Sequence, residues 1–140
     1  MQTTATNRAV VWGFLALAAL GNFAGYAFDL YQRIWWFDKV IHAYTTFAVT
    51  LLVALFLYGR VLTGARDHRF LLVLVIAGFG LGFGTLWEFA EWGYDRAVPT
   101  DAIKGKLDTI TDLIVDTGGA LVAGWVAARI AEASAREGDS

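Results

Sequence analysis

Four blocks of about twenty mostly apolar residues, each with a polar cluster at one end, constrain this chain more than anything else in it. The clusters are Asn22/Tyr26/Asp29, Asp38/His42, Glu88/Glu91 and Asp108/Asp112/Asp116. A block of that length covers a hydrocarbon core as an α-helix. Consecutive spans run in opposite directions, so all four clusters fall on the same side of the membrane. Ionisable groups below the interface are expensive and are kept facing a bundle interior or a wet cavity. The chain therefore reads as a membrane protein with one carboxylate-rich site near one face.

The fold expected is all-α, a four-helix transmembrane bundle, forming a single integral membrane domain over residues 1–140. The helices are placed at about 9–28, 38–58, 70–92 and 107–131, with ends uncertain by a few residues. The connections are LYQRIWWF, GRVLTGARDHR and GYDRAVPTDAIKGK, and the last holds the only proline, Pro99. The start, MQTTATNR, carries one arginine and no small-residue cleavage site, so the first block is read as a retained helix. A net charge of −2 gives no basis for nucleic-acid binding, and the absence of cysteine excludes disulfides and thiolate metal sites.

Arg8, Arg60, Arg66, Arg69, Arg129 and Arg136 flank one side of the spans; Arg33, Lys39, Arg96, Lys104 and Lys106 flank the other. This small excess points to a multi-pass protein of the cell membrane with both termini cytoplasmic. The polar clusters then face outward, beside a belt of Trp35, Trp36, Trp87 and Trp92. Gly21/Gly25, Gly78/Gly82 and Gly80/Gly84 are small residues at i,i+4, a spacing that lets helices approach closely in lipid. Because Gly78 to Gly84 put glycine on two faces, the third apolar helix is expected to be central. His68 stands among Arg66, Asp67 and Arg69 in the opposite loop and is read as solvated.

Spacing ties the polar residues together. Asp38/His42 and Asp108/Asp112/Asp116 stand at i,i+4 and Glu88/Glu91 at i,i+3, so each set shares a helix face. Counting ~1.5 Å per residue from the arginines at the inner helix ends puts these residues at similar depths, with Asp116 a turn below Asp112. Seven carboxylates, counting Asp29, then stand near one imidazole, and they cannot all be charged in a low dielectric without compensation. Three arrangements satisfy this. A divalent metal (Zn²⁺, Mn²⁺, Mg²⁺ or Ca²⁺) is held by Asp38, His42, Glu88, Glu91, Asp112 and Asp116. Or Lys39, Lys104, Lys106, Arg33 and Arg96 neutralise the acids, some carboxyls stay protonated so that Asp116 can donate, and Tyr44, Thr45, Thr109, Thr111 and Thr117 supply further hydrogen-bond partners. Or the acids line a proton or cation path, against which the apolar inner half of every helix argues. Lys39, Lys104, Lys106, Asp108, Asn22 and Tyr26 are the candidate ligand-binding residues.

Some of these residues also form short motifs. Asp38-Lys39-Val40-Ile41-His42 resembles the Asp-Lys-x-x-His helix opening of VanZ-like proteins. Asp112 to Asp116, followed by Thr117-Gly118-Gly119-Ala120-Leu121, resembles their closing helix. Trp87-Glu88 with Glu91-Trp92, and Asp108-Thr109 with Asp112, are similar to YjdF-like inner-membrane proteins. The resemblance covers about residues 35 to 124. Asp116 stands where VanZ-like proteins carry Asn, Glu91 where Gln is usual, and Lys106 near the place of an Arg, so this site is the more acidic. VanZ-like proteins are associated with resistance to glycopeptide antibiotics such as teicoplanin. The resemblance thus implies a cell-envelope and lipid context without a reaction.

Two functions follow from the sequence. One is binding of, or metal-assisted chemistry on, a lipid headgroup or a lipid-linked envelope precursor. The other is a non-enzymatic accessory subunit that docks with partner membrane subunits, its acidic cluster serving as a helix-tying or ligand-binding network.

Overall fold

A computed structural model of the chain describes residues 5–58 and 68–138. They form five helices: α1 (Ala5–Ala27), α2 (Leu30–Arg33), α3 (Phe37–Tyr58), α4 (Arg69–Ala97) and α5 (Lys106–Gly138). No strand occurs among the described residues. Four of the helices are long and apolar enough to cross a membrane, over Arg8–Ala27, Phe37–Phe56, Phe70–Ala97 and Lys106–Ile130. Large apolar side chains such as Phe23, Phe56, Phe70, Phe89, Ile114 and Trp125 point outward. So broad an apolar exterior is abnormal in water and normal in lipid. Arg60 and Arg66, which mark the inner side in the sequence, lie outside the described residues, as do the side chains of Arg69 and Arg136.

One connection and two helix ends differ from the sequence expectation. The segment LYQRIWWF contains the single turn α2. It is entered through Asp29 at φ 59° and ψ 33°, a left-handed conformation that Asp tolerates better than most residues. Helix α4 continues past Trp92 to Ala97 and stops at extended Val98, immediately before Pro99, because the residue preceding proline disfavours helical backbone. Helix α5 runs beyond residue 131 to Gly138. The loop that follows α4 is clamped from within. The Asp95 carboxylate accepts hydrogen bonds from the backbone N–H of Ala102 and Ile103 (2.9 Å each) and from the Thr100 hydroxyl (2.7 Å).

The central elements are α3 and α5 rather than α4. Their mutual packing is the most extensive, followed by that of α4 on α5, and α3 also meets α1, α2 and α4. Packing this close depends on small residues. Ala48 and Ala54 of α3 and Ala120, Ala123, Ala127 and Ala128 of α5 are buried together with Leu51, Leu72 and Ile76. Gly119 rests on the backbone carbonyl of Ala43, where a Cβ would collide with it. The two glycine faces of α4 have different uses. Gly80 and Gly84 point inward against Thr50 and Asp116, whereas Gly78 and Gly82 face open space.

Candidate functional site

The site is built where α3, α4 and α5 meet near the ends that carry Trp35 and Trp92. Helix α3 contributes a stripe at i,i+4: Asp38, His42, Thr46 and Thr50, all buried. Helix α5 contributes Asp108, Asp112 and Asp116, and α4 contributes Glu88 and Glu91. The structure thus brings all six candidate metal ligands into one region, with only Glu91 partly exposed.

On the α5 side, lysines neutralise the acids. Lys39 Nζ donates to Asp108 Oδ1 (2.5 Å), Asp112 Oδ2 (2.6 Å) and Asp38 Oδ2 (3.3 Å). Lys104 Nζ lies 3.6 Å from Asp38 Oδ2 and donates to the Tyr31 carbonyl at 3.2 Å. Asp108 also accepts the Lys104 backbone N–H at 3.1 Å, within the first turn of α5, where a negative charge suits the helix dipole.

Deeper in the bundle, Asp116 is fully buried. It accepts the Thr46 hydroxyl at 2.7 Å and lies 3.4 Å from His42 Nδ1. Gly84 leaves the room for it, since a Cβ there would overlap the Asp116 carboxylate. The other ring nitrogen, His42 Nε2, is 3.7 Å from Asp38 Oδ1. On α4, Glu91 accepts the Trp87 indole N–H at 2.9 Å. Glu88 Oε1 and Asp112 Oδ1 are buried with no hydrogen-bond partner.

Two triplets could present one ligand atom each with all atoms within 4.8 Å: Asp38/His42/Asp112 and His42/Glu88/Glu91. Asp116 belongs to neither, and its contacts suit it to holding the His42 ring. Among the candidate ligand-binding residues, Lys39, Lys104 and Asp108 are in the ion-pair network. Asn22 instead ties α1 to α2 and α3: it accepts the Tyr31 hydroxyl at 2.9 Å and donates to Thr45 at 3.4 Å. Burial keeps the Tyr31 hydroxyl protonated well beyond the usual tyrosine range, as do the nearby Tyr26, Asp38 and Glu91. Tyr26 stacks against Tyr31 at 5.0 Å between ring centres. Lys106 is exposed, and no ion pair joins it to the cluster among the described residues. Arg33 pairs at 3.7 Å with the exposed Asp29, and Arg96 lies over the Trp92 ring.

Of the expected hydroxyl partners, Thr109 hydrogen-bonds Glu88, while the others turn elsewhere. Thr111 and Thr117 bond back to the carbonyls of Leu107 and Leu113 in their own helix, the usual alternative for a helical threonine. Thr45 takes Asn22, and the Tyr44 hydroxyl is buried without a partner. Thr46 is the residue that sequence reasoning missed. Its signal was present, because it continues the i,i+4 series from Asp38 through His42.

Above and beside the cluster lie three neighbouring spaces. A vestibule of about 690 Å³ opens between the ends of α1 and α4 and the loop after α4, and Tyr26, Asp38, Trp87, Glu91, Tyr94 and Lys104 line it. It narrows to a polar throat of about 20 Å³ that reaches His42, Thr46 and Phe83. Phe83 also borders an apolar groove of about 480 Å³ between α3 and α4, lined by Val49, Val53, Phe79 and Leu86 and floored by Gly78 and Gly82.

A family described as "predicted membrane protein (DUF2238)" matches residues 1–133. The chain belongs to this family. An "uncharacterized protein" of Thermotoga maritima is 32% identical over 106 residues, which is 71% of this chain and 52% of that relative. The chain therefore spans about half the length of the curated relative it matches. No solved structure matches. Neither match names VanZ-like or YjdF-like proteins, so that kinship rests on the short motifs alone.

Proposed function

We propose that this integral membrane protein binds a membrane lipid or a lipid-linked envelope precursor, with the headgroup in the vestibule and an acyl chain in the groove between α3 and α4. The observation that carries this reading is the adjacency of polar and apolar spaces: Phe83 borders both the polar throat and the apolar groove. An amphiphile needs both environments side by side. The groove lies within the spans, where the surrounding solvent is lipid. The vestibule suits a zwitterionic headgroup. Tyr26, Trp87 and Tyr94 offer ring faces and Asp29, Glu91 and Asp101 offer carboxylates to an ammonium, while Lys104 offers a cation to a phosphate. In this reading the termini are cytoplasmic and the vestibule opens outward. Single cysteines at Arg8 and Thr100 should then label from opposite sides of the membrane.

A second reading has one observation in its favour. Gly78 and Gly82 expose a small-residue face of the kind on which membrane helices dock, and a partner subunit's helix could fill the same groove. Native mass spectrometry in mild detergent separates the two. Wild type should retain about one phospholipid per chain, and Gly82→Leu, whose side chain enters open space, should release it without unfolding the protein. Lipid occupancy no different from that of random boundary lipid, unchanged by Gly82→Leu, would overturn the lipid reading. Co-purification of one partner protein, lost in Gly82→Leu, would favour the accessory subunit.

A further inference from the structure

The acidic residues divide into a half that contains lysine and a half that does not. Asp38, Asp108 and Asp112 share Lys39 and Lys104. Glu88, Glu91 and Asp116 make no ion pair with lysine or arginine among the described residues, and the imidazole of His42 is the nearest basic group. Glu88 is only 5% exposed, and its Oε1 has no hydrogen-bond partner. A buried carboxylate oxygen left without a partner loses the full cost of its dehydration, and more so in a bilayer. A carboxylate oxygen of Glu88 lies within one ligand set with Glu91 and His42.

We infer that the lysine-free triplet His42, Glu88 and Glu91 binds one divalent cation, with Asp116 as a positioning residue. The other triplet is the weaker rival. It too has an orphan oxygen, Asp112 Oδ1, but the Lys39 ammonium already donates to Oδ2 of both Asp112 and Asp38 and repels a second cation beside it. In the tautomer with Nδ1–H directed to Asp116, His42 Nε2 makes no hydrogen bond, its nearest acid being Asp38 at 3.7 Å, and can serve as a ligand atom in the usual carboxylate–histidine–metal order. Thr46 and the space at Gly84 fix Asp116 itself. One imidazole and two carboxylates suit Zn²⁺ or Mn²⁺ better than copper or calcium. Glu91 lines both the throat and the vestibule, so open coordination positions face the place where a headgroup phosphate would arrive. The cation does not depend on the lipid.

The test uses the full chain in detergent, stripped with chelator and titrated separately with Zn²⁺ and Mn²⁺, reading bound metal per chain and Tm. Wild type should bind one equivalent and gain Tm with metal concentration. Glu88→Gln and Glu91→Gln should each abolish stoichiometric binding; Glu91 is partly exposed, so its variant keeps the test informative if the other fails to fold. Asp112→Asn should retain one equivalent. Asp116→Asn should keep the stoichiometry, weaken affinity by about 10–100-fold and alter the visible spectrum of the Co²⁺-loaded protein. An unchanged affinity and spectrum would remove the positioning role. The inference is overturned if wild type binds no stoichiometric metal and gains no Tm. It is equally overturned if Asp112→Asn loses the metal while Glu88→Gln and Glu91→Gln keep it.

Discussion

The α5 side of the site and the α4 side hold similar numbers of carboxylates but balance them differently. On the α5 side, one ammonium reaches three carboxylates, and a second stands beside one of them. The chain supplies its own counter-charge there, and the network ties α3, α5 and the loop before α5 together. On the α4 side there is one imidazole and an orphan oxygen. The first arrangement carries its own cations, with Asp112 Oδ1 left unpartnered, and reads mainly as structure. The second has no lysine or arginine paired with it among the described residues and reads as a place for something else. An acidic cluster is thus informative less by its size than by which of its members lack a partner.

The largest effect should come from removing the internal cation. Lys39→Met leaves Asp38, Asp108 and Asp112 in a bilayer with only Lys104 nearby, and breaking a buried pair this way costs about 3–5 kcal/mol. Chemical unfolding in mixed micelles would measure it. A loss near zero would mean that the α5 side is not balanced by Lys39, and the contrast would fail. Next comes Gly84→Ala. Its methyl pushes into the Asp116 carboxylate, and overpacking of this kind costs about 1–3 kcal/mol. The same measurement should show it, together with reduced metal affinity because the His42 support has moved.

Glu88→Gln should behave in the opposite sense to Lys39→Met. In metal-free protein its stability should be equal to or above wild type, since a buried carboxylate whose only side-chain hydrogen-bond partner among the described residues is Thr109, with Oε1 unpartnered, has been replaced by a neutral amide. A clear loss without metal would show that Thr109 already satisfies Glu88 and would break the comparison. The smallest effect belongs to Arg33→Ala. Its pair with Asp29 is 3.7 Å long between exposed side chains, and the change in stability should stay within about 0.5 kcal/mol. It serves as the baseline for charge removal at this face.

Spans and shared depth were legible in the sequence because hydropathy and helical spacing act over long windows. Asp38, His42, Glu88, Glu91, Asp112 and Asp116 can be placed by counting along helices. Choice of partner cannot. Lys39, Lys104 and Lys106 look alike in the chain, yet two enter the network and Lys106 stays exposed, a difference set by how α5 is rotated against α3. Thr46 and Thr45 are neighbours, and only helix rotation decides that Thr46 meets Asp116 while Thr45 meets Asn22. Glycine spacing suggested that α4 is central, but spacing does not show which glycine face is covered. The alanines of α5 were the better sign. The vestibule was out of reach, because it depends on the turn at Asp29 and on the Asp95 clamp, two local geometries that no periodicity encodes.

The burial of Asp116 also bears on how the protein comes to be in the membrane. Read alone, α5 carries Asp108, Asp112 and Asp116 along one face of its first half, and an aspartate opposes insertion by up to about 2.5–3.5 kcal/mol at the helix centre, less towards the end. Asp116, the deepest of the three, makes independent partitioning of α5 the more costly. Its partners, Lys39, His42 and Thr46, are all on α3, which precedes it in the chain. Insertion of α5 is therefore an assembly step, in which α3 acts as an intramolecular chaperone and the polar face enters the bilayer already matched.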